Sequence, residues 1–162
     1  GTLWACEQAG VVPDMLTTAK GIASGLPLGA TLCADWIADA DPEHGSTFSG
    51  GPTVSAAANA TLDVVVEEDL PGHAAAMGDY IADEMRARSE AEDLPVREVR
   101  GNGLMLGIEV KRGANRLLRD LAINHGVLAL PAGRTVLRLL PPLTIGEEEA
   151  DAVVDAIAEV LG

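Results

Sequence analysis

The sequence predicts an α/β chain whose last part forms an α+β lobe of its own. Two observations carry this. In the first half, short apolar runs ("DMLTTA", "GATLCA") are followed by a long helical stretch opening at Pro52. From about residue 95, strand-like runs such as "GLMLGIEV" and "TVLRLL" are mixed with two amphipathic segments. A hydrophobic content of 48% in 162 residues is enough for one ordinary domain or two small lobes. Such a chain buries roughly 70% of its unfolded surface.

In order, Leu3, Trp4, Ala5 and Cys6 begin a short helix that ends at Gly10. "DMLTTAK" is a short strand running into a loop around Lys20. "GATLCADWIAD" alternates as one strand, or as two short ones with a bend. "EHGSTFSGGP" is a Gly- and Ser-rich loop, and Pro52 then suits a first helical turn. That helix continues through "TVSAAANATLDVVVEE". A second helix spans about Pro71 to Ala91, with Met77, Tyr80, Ile81 and Met85 at helical spacing. "EAEDLPVRE" reads as a connection between lobes. "GLMLGIEV" is a strand, and "NRLLRDLAINHG" is a helix with Leu117, Leu118 and Leu121 inward and Gly126 at its C-terminal cap. "VLAL" and "TVLRLL" are strands joined by the turn Pro131-Ala132-Gly133. The closing helix starts with Glu147, Glu148 and Glu149, which favour its dipole, and buries Val153, Ile157 and Leu161.

Charge narrows the possible partners. Eleven basic residues against 25 acidic ones give −14, and all but Lys20 and Lys111 of the basic ones are Arg. Such a surface repels nucleic acid and anionic membranes, so neither is an expected partner. An acidic, lysine-poor surface suits a high-salt cytoplasm, where self-repulsion is screened. No apolar run reaches the roughly 20 residues that span a bilayer, and no leader pattern points to export. Cys6 and Cys33 show no metal or CxxC spacing, which fits a reduced cytoplasmic setting.

Three places can carry chemistry. Lys20 lies among Thr17, Thr18, Ala19 and Gly21, with small residues behind it. An amine in a small, partly desolvated pocket loses its proton more easily and can attack a carbonyl to form a Schiff base. A loop lysine bonded to nearby carbonyls is the alternative. In "HGSTFSGGP", Ser46 and Thr47 offer hydroxyls and Gly45, Gly50 and Gly51 free the backbone, just ahead of a helix N-terminus. That combination suits a phosphate, and equally a plain N-capping loop. Arg138 shares a strand face with Val136 and Leu140. There it needs a carboxylate partner, either a substrate or an internal acid. "GNGLMLG" precedes a strand instead of following one, so it is no dinucleotide loop. His44, His73 and His125 are scattered, at exposed or helix-end positions. No metal cluster is expected.

Amine, phosphate grip and carboxylate clamp together fit pyridoxal phosphate chemistry. The sequence resembles the class III, fold type I aminotransferases. "GTLWACEQAGVVPDMLTTAKGIASGLPLGA" is similar to that family's Schiff-base lysine segment, and "HGSTFSGGPTVSAAANATLDVV" to its phosphate-loop and helix segment. "VREVRGNGLMLGIEV" and "GVLALPAGRTVLRLLPPLTI" are similar to its C-terminal lobe. The resemblance spans essentially the whole chain in the family's order.

That resemblance implies a fold and a set of residue roles. The fold is part of a large cofactor domain over 1–70, a connecting helix over 71–94 and a C-terminal small domain over 95–162. By the same resemblance, Lys20 is the Schiff-base lysine and then the base that moves the proton. Thr47 binds the cofactor phosphate, reaching into the neighbour's site of a homodimer, and Ser46 assists. Arg138 binds the α-carboxylate of the amino-acid donor. That favours the branch acting on acetylornithine or on carrier-linked ornithine and lysine precursors, with 2-oxoglutarate as acceptor. A 4-aminobutyrate, ornithine or aminomutase relative is the alternative within the family; a noncatalytic assembly piece is the alternative outside it.

The sequence departs from the family at Gly51, where Asn is usual. It also begins downstream of the family's glycine-rich phosphate turn, of the aromatic that stacks on the cofactor ring and of the aspartate that protonates the ring nitrogen. The expectation is therefore a C-terminal portion that is inactive alone.

Overall fold

The computed structural model describes residues 1–40, 45–111 and 113–162. The expected His44 position lies outside them, as does the start of the "EHGSTFSGGP" loop. The chain divides into two compact units, 2–70 and 71–162, with Gly1 belonging to the second.

The 2–70 unit contains α1 (Ala5–Gln8), β1 (Met15–Thr18), a short 3-10 helix (Lys20–Ala23), β2 (Ala30–Cys33), α2 (Asp35–Ala40) and α3 (Pro52–Glu67). Strands β1 and β2 form an antiparallel pair, from Met15 opposite Cys33 to Thr18 opposite Ala30. The 3-10 helix packs on α3 through small residues: Ala23 and Ala58 are buried. Ser24 Oγ lies 2.9 Å from Thr61 Oγ1, which also donates to the Ala57 carbonyl at 2.8 Å. The strand reading of "GATLCADWIAD" holds only for Ala30–Cys33. Ala34 N–H bonds the Asp14 carbonyl at 2.9 Å, and the Ala34 carbonyl then accepts from Ile37 and Ala38 to start α2. Asp35 in the first turn favours that helix.

The 71–162 unit begins in α4 (Leu70–Ala91) and continues with β3 (Val96–Asn102), β4 (Met105–Val110), α5 (Ala114–Asn124), β5 (Leu130–Ala132), β6 (Val136–Leu139) and α6 (Glu147–Leu161). The four strands form one antiparallel sheet in the order β3-β4-β6-β5. One face carries Val99, Leu106, Ile108, Leu137 and Leu139 into a core with Met77, Ile81 and Met85 of α4, Leu121 of α5 and Val154 and Ile157 of α6. Polar links tie α4 to α6: Tyr80 Oη donates to Asp151 Oδ1 at 2.7 Å, and Arg88 pairs with Asp155.

Two sequence expectations change here. "EAEDLPVRE" does not merely connect, because Val96 opens β3, an edge strand. Pro131 and Ala132 are not turn residues. They pair with Leu137 and Val136, so the turn falls at Gly133, whose φ is +71°. Proline is tolerated there because β5 is the other edge strand and needs no donor on its outer side. Val127 N–H bonds the Leu121 carbonyl at 3.0 Å, closing α5, and the strand expected at "VLAL" begins only at Leu130.

Candidate active site

Lys20 follows β1 directly and starts the 3-10 helix. Its φ is +58°, a left-handed conformation that costs a non-glycine residue about 1–2 kcal/mol. The strain is held from both sides. Ahead, Thr18 is fixed opposite Ala30 in the ladder. Behind, the Ser24 and Ala23 contacts anchor the 3-10 helix to α3. Strain of this kind persists where the surroundings fix it, and it gathers at functional sites. The Lys20 side chain is exposed, and among the described residues its amine has no hydrogen-bond or ion-pair partner.

Ser46 and Thr47 sit in the exposed segment just before α3. Ser49 Oγ donates to the Ser46 carbonyl at 3.3 Å, and Gly50 turns the chain with φ +66°. Gly51 caps α3 and Pro52 opens it, so no side chain covers the first-turn amides. Gly51 substitutes for a capping side chain at a cost of only a few tenths of a kcal/mol. Two hydroxyls ahead of an uncapped helix N-terminus can bind an anion through hydrogen bonds and the helix dipole.

Arg138 is in β6, in the other unit, opposite Gly107 of β4 and Leu130 of β5. It is half-buried, and its Nε is fully buried without a hydrogen-bond partner. Among the described residues no carboxylate pairs with it. The internal acid left open by the sequence is therefore not found there. The nearby Glu109 is committed elsewhere, to Arg100 at 2.9 Å and Arg97 at 3.7 Å. An unmet guanidinium donor costs about 1–3 kcal/mol, which an arriving carboxylate recovers.

Lys20, Ser46 and Thr47 thus lie in the 2–70 unit and Arg138 in the 71–162 unit. The other two histidines make contacts within the 71–162 unit. His73 Nε2 lies 2.8 Å from the Ile145 carbonyl, and His125, at the C-cap of α5, lies 3.6 Å from Glu159. Cys6 and Cys33 are free. Among the described residues no cluster could hold a metal ion, and no helix is long and apolar enough to cross a membrane.

The model of the aminotransferase class-III family matches residues 1–161. The chain belongs to the class III aminotransferases. Within that family it is 42% identical to an acetylornithine aminotransferase of Methanothermobacter thermautotrophicus, covering 99% of this chain and 41% of the relative. It is 40% identical to the [LysW]-aminoadipate semialdehyde transaminase of Deinococcus radiodurans, over 99% of this chain and 37% of that protein. The acetylornithine aminotransferase of Elizabethkingia anophelis superposes with a TM-score of 0.87 at 34% identity, covering 99% of this chain and 43% of that one. An ornithine aminotransferase of Toxoplasma gondii superposes with a TM-score of 0.87 at 30% identity, over 99% of this chain and 39% of that one. The chain spans about two fifths of the length of the curated relatives it matches.

The fold is accordingly that of a fold type I aminotransferase over the part this chain covers. Class III aminotransferases are pyridoxal-phosphate enzymes. The residues present fit such a cofactor: an amine on a strained residue, unpaired among the described residues, and, separately, two hydroxyls before a helix N-terminus that has no side-chain cap. Gly107 stands in the middle of β4 opposite Arg138, where no left-handed φ calls for a glycine.

Proposed function

We propose that this chain is part of a longer enzyme that moves the ω-amino group of N-acetylornithine, or of carrier-linked ornithine or lysine, to 2-oxoglutarate. Arginine or lysine biosynthesis in the cytoplasm is the setting. The observation that carries the choice of donor is Arg138, an arginine without an acidic partner among the described residues and therefore available to an α-carboxylate. The names of the relatives support the same donors.

When bound, pyridoxal phosphate supplies an electron sink that makes the C–H beside the donor's amine acidic. Lys20 would hold the cofactor through its amine; once the donor's amine has displaced it there, the freed Lys20 Nζ would accept the proton leaving that carbon. The Thr47 and Ser46 hydroxyls hold the phosphate, with Thr47 serving the site of a second copy in a homodimer. Arg138 fixes the donor's carboxylate by a bidentate fork and so sets which end of the donor reaches Lys20. Residues 1–70 then belong to the large domain and 95–162 to the small one. The isolated 162 residues do not turn over.

Borohydride reduction in the presence of pyridoxal phosphate tests the core of this reading. A phosphopyridoxyl adduct mapped to Lys20, absent in Lys20→Ala and not found on Lys111, supports it. Equal labelling of both lysines, or none, overturns it. A panel of amino donors with the longer enzyme decides the branch. The similarity to an ornithine aminotransferase favours a second reading, in which the donor is ornithine itself.

A further inference from the structure

Four residues form one row across the C-terminal sheet: Arg100 of β3, Gly107 of β4, Arg138 of β6 and Leu130 of β5. Directly opposed residues of an antiparallel ladder share a face. A glycine therefore separates two arginines whose backbones stand two strand spacings, about 10 Å, apart. The two arginines differ. Arg100 Nη1 is held by Glu98 at 2.6 Å and Glu109 at 2.9 Å. Arg138 has no such partner among the described residues, and its Nε is buried and unpaired. Arg100, Gly107 and Arg138 line an open cleft of about 430 Å³ together with Asn102, Met105 and Val136.

The backbone does not ask for glycine at 107, since its φ is not in the left-handed region. A Cβ there would make ordinary contacts with Arg100, 3.8 Å from its carbonyl and 4.0 Å from its Cγ. One contact would be tight, 3.2 Å to a Val136 methyl. Glycine inside a central strand weakens the strand, and it marks places where a ligand or another backbone comes close. On the other side of Arg138, Leu130 presents an apolar flank. The polar approach to the Arg138 guanidinium is therefore across position 107.

We infer that Gly107 is a specificity-determining residue of the carboxylate site. Its empty side-chain position is the path by which the carboxylate end of a substituted amino acid reaches Arg138. Arg100, neutralised by Glu98 and Glu109, forms the far wall without offering a competing free cation. The inference rests on the reading of Arg138 as the carboxylate clamp.

The test follows the Arg138 Nε–H resonance of the ¹⁵N-labelled chain, assigned by its loss in Arg138→Lys, during titration with N-acetylornithine and separately with acetate. The wild-type resonance is expected to shift saturably with both. Gly107→Leu, melting near the wild-type temperature, is expected to weaken N-acetylornithine binding by about tenfold or more. Acetate, which is short enough to need less of the path, is expected to lose less. Gly107→Ala is expected to fall between, and to stay there when Val136→Ala removes the methyl it would touch. A folded Gly107→Leu that binds both ligands as the wild type does overturns the inference while leaving Arg138 as the clamp. So does a loss in Gly107→Ala that Val136→Ala restores, which would make Gly107 a packing residue. A wild-type resonance that never responds removes the clamp and the inference together. Should Gly107→Leu not fold, Gly107→Ala with and without Val136→Ala decides alone.

Discussion

Gly78 of α4 lies directly against Gly103 in the turn between β3 and β4: a Cβ on Gly78 would overlap the Gly103 carbonyl and come within 2.9 Å of its Cα. Both partners are backbone, so neither can swing away. Gly103 is itself fixed by its φ of +53°. Gly78→Ala must push α4 off the turn, and we expect it to cost about 1–3 kcal/mol. A lowered urea midpoint with an unchanged slope would show this. An unaltered midpoint would mean that the helix approaches the turn less closely than this.

The Tyr80–Asp151 bond has a spectroscopic signature. Its hydrogen bond to the Asp151 carboxylate, with desolvation and nearby acids adding, pushes the Tyr80 phenol up to about 12 from its usual 10.0. Tyr80 is the only tyrosine, so phenolate absorbance reports it alone. The folded value lies above the unfolded one. The stabilisation is therefore complete below pH 10 and is lost as the pH rises from about 10 towards about 12. Asp151→Ala is expected to bring the titration back towards the ordinary value and to flatten that loss. A wild-type midpoint near 10 would contradict the bond.

Met85 is fully buried in the core between α4 and the sheet. Met85→Ala leaves a cavity in a close-packed interior, and we expect a loss of about 2–5 kcal/mol. Thermal or urea unfolding measures it. A loss below about 1 kcal/mol would mean that the neighbouring Ile81 and Ile157 collapse into the space.

The surplus of 14 negative charges makes stability depend on ionic strength. Self-repulsion is screened as the Debye length falls from about 10 Å at 0.1 M to about 3 Å at 1 M salt. The melting temperature is expected to rise with KCl through this range. A flat dependence would remove the case for a high-salt setting.

The long elements were legible because their patterns are strong. Pro52 at the first turn announced α3, and the glutamates at 147–149 announced α6. Strand β3 was hidden because a bulge between Val96 and Glu98 breaks the alternation, leaving a stretch that reads as charged linker. Helix α2 was hidden because it is six residues long, too short to show a helical period after a real strand. Residue types pointed to Lys20, Ser46, Thr47 and Arg138 as chemistry-bearing positions. The left-handed backbone at Lys20 and the missing partner of Arg138 depend on neighbours distant in sequence, Thr61 and Glu109 among them, and no local pattern announces these. Gly107 gains its meaning only from cross-strand register, which sequence order does not display.

The buried apolar residues described in the 2–70 unit are few and mostly small: Ala23, Ala58 and Leu70. Leu32, Trp36 and Phe48 stay exposed there, while the other unit encloses a continuous core. Free energies of local opening follow such differences. Backbone amides around Lys20 are therefore expected to trade hydrogen for deuterium early, and those of β4 and α6 late. Proteases should nick the first unit while the second survives as a resistant remnant.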